Sequence, residues 1–156
     1  MSTYSHTASS GTGVTVRRTV AAGLTGAVVF GLAMAAGVAF DLNADGRDGD
    51  ASFEWDELWF YVVSPLVAVA LAGWLGRRAL AGTPQRLGRT ALGLGIAAAA
   101  TVIVFWTGWP LVFGAVAVVL GLEHRRRLGS FAPVASAAIA LGSVALLVSA
   151  WICVTG

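Results

Sequence analysis

The chain contains no lysine, a single cysteine and almost no acid outside one short stretch. With only Cys153 available, an internal disulfide and a cysteine-based metal site are both excluded. Charged residues make up 12% of the 156 positions, against roughly 25% in soluble domains. Hydrophobic residues make up 57%, and the mean hydropathy is +0.79. A soluble fold of this composition would expose large apolar patches and aggregate, so the class is an integral membrane protein. Nucleic-acid binding needs a basic face on a folded soluble domain, and no segment supplies one, so no nucleic-acid partner is expected. No Asp, Glu, Arg or His falls inside the long apolar runs. Transporters and proton relays carry such groups there despite an insertion cost of about 2.5–3.5 kcal/mol each, so a self-contained pump is not expected. The polar groups left in or near the runs are Ser64, Ser136, Ser143, Ser149, Thr101 and Cys153. None has an intramembrane base to activate it, and an enzyme is not expected.

What is present is a series of apolar runs that reads as an all-α, five-span helical bundle. Residues 1–15, rich in Ser, Thr and Gly, read as a disordered cytoplasmic tail, and residues 16–156 as one transmembrane domain. The spans are expected at about 20–40, 58–75, 90–106, 110–122 and 132–152. Val20 to Phe40 is 21 residues, about 31 Å of helix against a hydrocarbon core of roughly 30 Å. That is too long for the apolar region of a signal peptide, although Ala33-Met34-Ala35 fits a cleavage pattern. The second run starts with Trp55, Trp59, Phe60 and Tyr61, as an interfacial belt does. Pro65 predicts a kink, with Ser64 placed to satisfy a freed backbone group. A polar connector is expected from Ala79 to Arg89.

Thr90 to Leu122 is uncharged for 33 residues, about 50 Å as one helix and too long for a single crossing. Trp106-Thr107-Gly108-Trp109-Pro110 marks a break into a hairpin. Its second arm, 110–122, is short enough to be expected to lean on flanking residues or to be partly re-entrant. Glu123 to Arg127 reads as a basic surface loop, with His124 an ordinary member of it, and Pro133 opens the last span.

The ten basic residues then decide the orientation. With five spans and a cytoplasmic N-terminus, Arg17, Arg18, Arg77, Arg78, Arg86, Arg89, Arg125, Arg126 and Arg127 all lie inside, and only Arg47 outside. Trp55, Trp59, Trp106, Trp109 and Trp151 gather at the outer interface, Trp74 at the inner, and the C-terminus is outside. A four-span alternative puts the last arginine cluster on the wrong side. Arginine without lysine, in a chain rich in Ala, Gly and Val, points to a GC-rich bacterial genome and so to a bacterial plasma membrane. Arg125, Arg126 and Arg127 should attract anionic lipid head groups at about 1 kcal/mol each.

Small residues recur at intervals of four: Gly23, Ala27, Gly31 and Ala35; Ala91, Gly95 and Ala99; Ala138 and Gly142. Such ladders let helix backbones approach closely, either within one bundle or between copies in a homo-oligomer. Residues 90–152, with Pro110-Leu111-Val112-Phe113-Gly114-Ala115-Val116-Ala117-Val118-Val119-Leu120-Gly121 and the following basic run, resemble a group of small bacterial membrane domains built as Gly-rich helical hairpins. That resemblance implies no activity.

Seven of the eight acidic residues lie between 41 and 57, the expected outer loop. Asp41, Asn43, Asp45 and Gly46 take positions 1, 3, 5 and 6 of a D-x-N-x-D-G loop, where alternating oxygen ligands converge on one ion and Gly permits the turn. Arg47 would give its backbone carbonyl, while Gly49 leaves position 9 to water. Ser52 stands where a bidentate Glu is expected and Asp48 where an apolar residue is usual, so Asp48, Asp50 or Glu54 would have to complete the shell. The stretch 41–52 resembles EF-hand-like loops of the dockerin and integrin-repeat kinds, which implies Ca²⁺. Two readings stand side by side: a Ca²⁺ loop, and a solvated acidic turn that keeps the hairpin from sinking into the bilayer. The favoured function is a non-enzymatic accessory or scaffold protein working with a membrane-protein partner. The alternative is a calcium- or cation-responsive sensor, or a small channel-like oligomer. Calcium titration followed by tryptophan fluorescence separates the two loop readings. A Ca²⁺ loop of the extracellular kind half-saturates at about 0.1–1 mM, and the response disappears in the Asp41→Ala, Asp45→Ala double variant; a solvated turn gives no response.

Overall fold

The computed structural model describes residues 8–39, 55–128 and 132–155, and these are helical almost throughout. The elements are α1 (Ala8–Ala39), α2 (Trp55–Leu80), α3 (Pro84–Thr101), a 3₁₀ turn (Val102–Thr107), α4 (Trp109–Leu128) and α5 (Pro133–Thr155). Among the described residues, four helical stretches are long and apolar enough to cross a membrane: Thr15–Ala36, Phe60–Leu80, Pro84–Thr107 and Pro133–Val154. The chain therefore has the build of a multi-pass membrane protein.

The remaining helix, α4, is the axis of the bundle. Pro110, Leu111, Val112, Phe113 and Gly114 are buried in succession. At about 100° per residue, five consecutive buried positions mean that the helix is enclosed on every side over 110–114, while Ala115, Val118, Val119 and Leu122 further along keep one strip partly exposed. The other four form a ring around it in the order α1, α2, α3, α5, each touching its two ring neighbours and α4. Residue pairs give the directions. Gly76 meets Thr19 and Leu120, Gly23 meets Val69 and Val116, Gly26 meets Leu111, Gly88 meets His124, Gly121 meets Ala135, and Gly114 meets Gly142. Hence α1, α3 and α5 run one way, and α2 and α4 the other.

This placement accounts for a helix whose apolar part is short. A ring helix must match the bilayer thickness along its lipid-facing side. Helix α4 meets protein over most of its surface, so Leu111, Val112, Val116 and Leu120 are fully buried without needing a full bilayer length. The ring helices are exposed on their outer faces, at Val28 and Leu32 on α1, Leu66 and Val67 on α2, Ile96 on α3, and Val144 and Leu147 on α5.

Between the helices, backbones come together at glycine. A Cβ on Gly26 would sit 2.6 Å from the Leu111 carbonyl oxygen of α4. On Gly114 it would lie 2.8 Å from the Gly142 oxygen, and on Gly142 it would lie 2.7 Å from the Gly114 oxygen, so α4 and α5 touch main chain to main chain. The ladders spaced by four are only partly used. Gly23 is buried, but Gly31 and Ala35 of the same ladder are exposed, and Ala98 is buried where Ala99 is not. A step of four overshoots a 3.6-residue turn by about 40°, so the face drifts away. The buried seam of α1 corrects for this by mixing steps of three and four: Thr15, Thr19, Gly23, Gly26, Phe30 and Ala33.

Three element boundaries and one side-chain contact differ from expectation. Helix α1 already includes residues 8–15, which the sequence assigns to the tail. Thr15 is buried in the bundle and its carbonyl accepts from the Thr19 hydroxyl at 2.9 Å, so the helix has a reason to continue past Arg17. The connector from Ala79 to Arg89 shrinks to Ala81–Thr83, because Thr83 caps α3 by accepting from the Arg86 N–H at 3.3 Å and Pro84 takes the first helical position. Glu123 to Arg127 is the end of α4 and not a loop, a position where cations favour the helix dipole. Finally, the Ser64 hydroxyl does not serve the backbone gap left by Pro65. It accepts from Trp109 Nε1 at 2.9 Å, which fastens α2 to the start of α4.

The hairpin break falls where expected. Thr101 donates to the carbonyls of Ala97 and Ala98, α3 tightens into the 3₁₀ turn, and Gly108 turns the chain at φ 73. A Cβ there would also stand 2.9 Å from Phe30 and 3.1 Å from Pro65. Two substitutions on one helix test the packing. Gly26→Ala should lower the unfolding free energy in micelles by about 1–3 kcal/mol, because backbone cannot yield as a side chain can. Gly31→Ala, with nothing within 4 Å, should be neutral or stabilising by up to about 1 kcal/mol.

Candidate functional site

The antiparallel order brings nine arginines to one end of the bundle. Arg17 and Arg18 of α1 lie level with the end of α4, Arg77 and Arg78 close α2, Arg86 and Arg89 open α3, and Arg125, Arg126 and Arg127 close α4. Among the described residues, Glu123 is the carboxylate at this end. It accepts from Arg127 Nε at 3.1 Å. The same guanidinium donates through Nη1 to the Leu80 carbonyl at 3.2 Å. Leu80 ends α2, so Arg127 satisfies a carbonyl that has no intrahelical partner and places a cation at a helix C-terminus. Arg127 is thus a tie between α2 and α4, whereas Arg125 and Arg126 are exposed. Arg78 lies over the Trp74 ring, 4.1 Å from its centroid, and holds that exposed indole at the same end.

Two clefts open here. One, of about 360 Å³, lies between α1 and α4, with Arg18, Glu123 and Arg126 at its rim and Ala21, Ala22 and Leu122 along its wall. The other, of about 330 Å³, lies among the starts of α3 and α5 and the end of α4. It is lined by Gln85, Gly88, Arg89, His124, Leu128 and Val134, next to Pro84. His124 is only 5% exposed, and its Nδ1 has no hydrogen-bond partner. Its ring lies against Gly88, where a Cβ would come within 2.7 Å of Nε2.

The expectation for His124 as an ordinary surface residue is therefore corrected. Because α4 continues to Leu128, position 124 falls on the face that α3 covers, one turn after Leu120. The signal was present in Thr83-Pro84, a capping residue followed by proline at the first helical position. Reading it moves the start of α3 back and puts Gly88 and Arg89 on a helix facing the end of α4.

The opposite end is aromatic. Trp109 is half-buried, packs edge-on against Phe113 at 5.4 Å and donates to Ser64, so it is a packing residue more than an interfacial one. Trp106 and Trp151 are exposed, as a belt requires. Of the polar groups of the spans, Thr101 bonds to its own helix as described and Ser136 to the Ala132 carbonyl at 3.5 Å. Ser149 Oγ is buried without a partner and Cys153 is buried beside Phe30 and Leu111. The expected Ca²⁺ ligands Asp41, Asn43, Asp45, Arg47, Asp50 and Glu54 lie outside the described residues. Among the described residues no group of three or more His, Cys, Asp or Glu is assembled for a metal.

Arg127→Gln should reduce stability by about 1–2 kcal/mol, through loss of a charged hydrogen bond to Leu80. Arg126→Gln at the exposed neighbouring position should change it by less than about 0.5 kcal/mol. Chemical unfolding in micelles compares the two. No family model, curated protein or solved structure matches the chain.

Proposed function

We propose that this chain is a five-span plasma-membrane protein of bacterial type that works as a non-enzymatic accessory or scaffold subunit. Its N-terminus and nine arginines face the cytoplasm, and its 41–57 loop and C-terminus face outward. The observation that carries the reading is the one-ended charge distribution around a filled axis. An arginine-rich end is the cytoplasmic end by the positive-inside rule. The axis is occupied by Leu111, Val112, Phe113, Val116 and Leu120, so a single bundle encloses a helix where a conduit would run. What the protein offers to others is then its outer helix faces and its two ends. Arg125 and Arg126 add attraction for anionic head groups. The alternative, a cation-responsive sensor, is favoured by the D-x-N-x-D-G spacing at 41–46.

Labelling in a Cys153→Ala background tests the topology. Ala51→Cys and Gly156→Cys should react with an impermeant thiol reagent from outside, and Ser2→Cys and Ser130→Cys only after permeabilisation. External labelling at position 130 would overturn five spans. Photocrosslinking residues placed in native membranes at Leu32, Leu66, Ile96 and Leu147, one on each ring helix, test the scaffold role. A discrete protein adduct from one face supports it, self-adducts indicate an oligomer, and lipid adducts alone from all four helices would remove it.

A further inference from the structure

The cleft among α3, α4 and α5 has the makings of a ligand site that no part of the proposed scaffold role requires. A buried imidazole nitrogen without a partner, as His124 Nδ1 is, is costly, since it loses its hydration. A leucine facing an alanine would avoid that cost, yet the chain places His124 against Gly88, where a Cβ would stand 2.7 Å from the ring. Arg89 and Gln85 stand on the α3 side of the same cleft, and the positive end of the α3 dipole points to it from Pro84. Among the described residues, the carboxylate at this end, Glu123, is engaged by Arg127 and is not among the cleft's lining residues. The site therefore offers donors and positive charge without a matching acid. Leu128 and Val134, both exposed, form its mouth, an apolar border that a free ion in water would not use.

We infer that this cleft seats the phosphate group of an anionic phospholipid, with Arg89 and His124 on the phosphate and Leu128 and Val134 against the start of the glycerol and acyl portion. The inference rests on the membrane reading, which puts the arginine end at the head-group level. It differs from diffuse attraction to Arg125 and Arg126 in being a saturable site with its own residues.

Native mass spectrometry of the full chain in micelles, with phosphatidylglycerol or phosphatidylcholine added at about 0.3 M salt to screen exposed charges, reads it directly. The wild-type chain should retain phosphatidylglycerol in preference to phosphatidylcholine at a stoichiometry of one. Arg89→Gln, at an exposed position that the fold does not need, should cut that retention about fivefold. His124→Asn should cut it as well, whereas Arg18→Gln, on the other cleft, should leave it within about twofold. Equal loss from Arg18→Gln and Arg89→Gln would reduce the effect to general surface charge and overturn the site. Unchanged retention in Arg89→Gln would do the same. Inorganic phosphate that competes at millimolar concentration and raises the melting temperature alone would reassign the cleft to a free anion and overturn the lipid assignment. Failure of the membrane reading shows separately, as release of the chain from membranes by alkaline carbonate without detergent.

Discussion

The contact on which the bundle depends is the approach of helix backbones to α4 at glycine. Lipid tails are as apolar as leucine, so transfer from water does not hold membrane helices together; dispersion between closely fitted surfaces does. Gly26 against Leu111, and Gly114 against Gly142, bring main chains near enough for the side chains on either side to interlock. A methyl at any of these positions would move a whole helix, because its neighbour is a carbonyl oxygen and not a rotatable side chain.

From that close packing follows a division of labour between ring and axis. The four ring helices carry the length and outward apolarity that a bilayer demands, while α4 is largely released from both, with one partly exposed strip at Ala115, Val118, Val119 and Leu122. A released helix can end in Glu123, His124 and three arginines within its last turns and still be the most buried element. It can also take proline and tryptophan at its start, where Gly108 turns the chain and the Trp109–Ser64 bond fixes the entry. With the axis filled by branched and aromatic side chains, what the molecule can recognise is confined to its faces and ends.

The arginine end is more than a topological label. Its charges fall into three roles. Arg127 ties two helices, Arg78 lies on Trp74, and Arg89 shares a cleft with a buried histidine. The same composition, spread over loops, would attract lipids without discriminating among them; folded onto helix termini, it forms clefts of defined shape.

Much of the architecture was readable from the chain alone. Uncharged runs of bilayer length, Pro and Gly at the hairpin, and arginines at matching ends specified a multi-pass helical bundle and its element order, because burial of a charge in hydrocarbon is too costly to be hidden by context. The neighbour relations were not readable. That 110–122 forms the axis, and so need not match the membrane, depends on which helices surround it, and the α4 sequence is nearly as apolar on one side as on another. The seam of α1 was misplaced by strict spacing of four, since only packing decides where steps of three restore the face. His124 was unremarkable in sequence for the same reason. Its chemistry comes from Gly88, a residue 36 positions away, and only the antiparallel pairing of α3 and α4 makes the two one site.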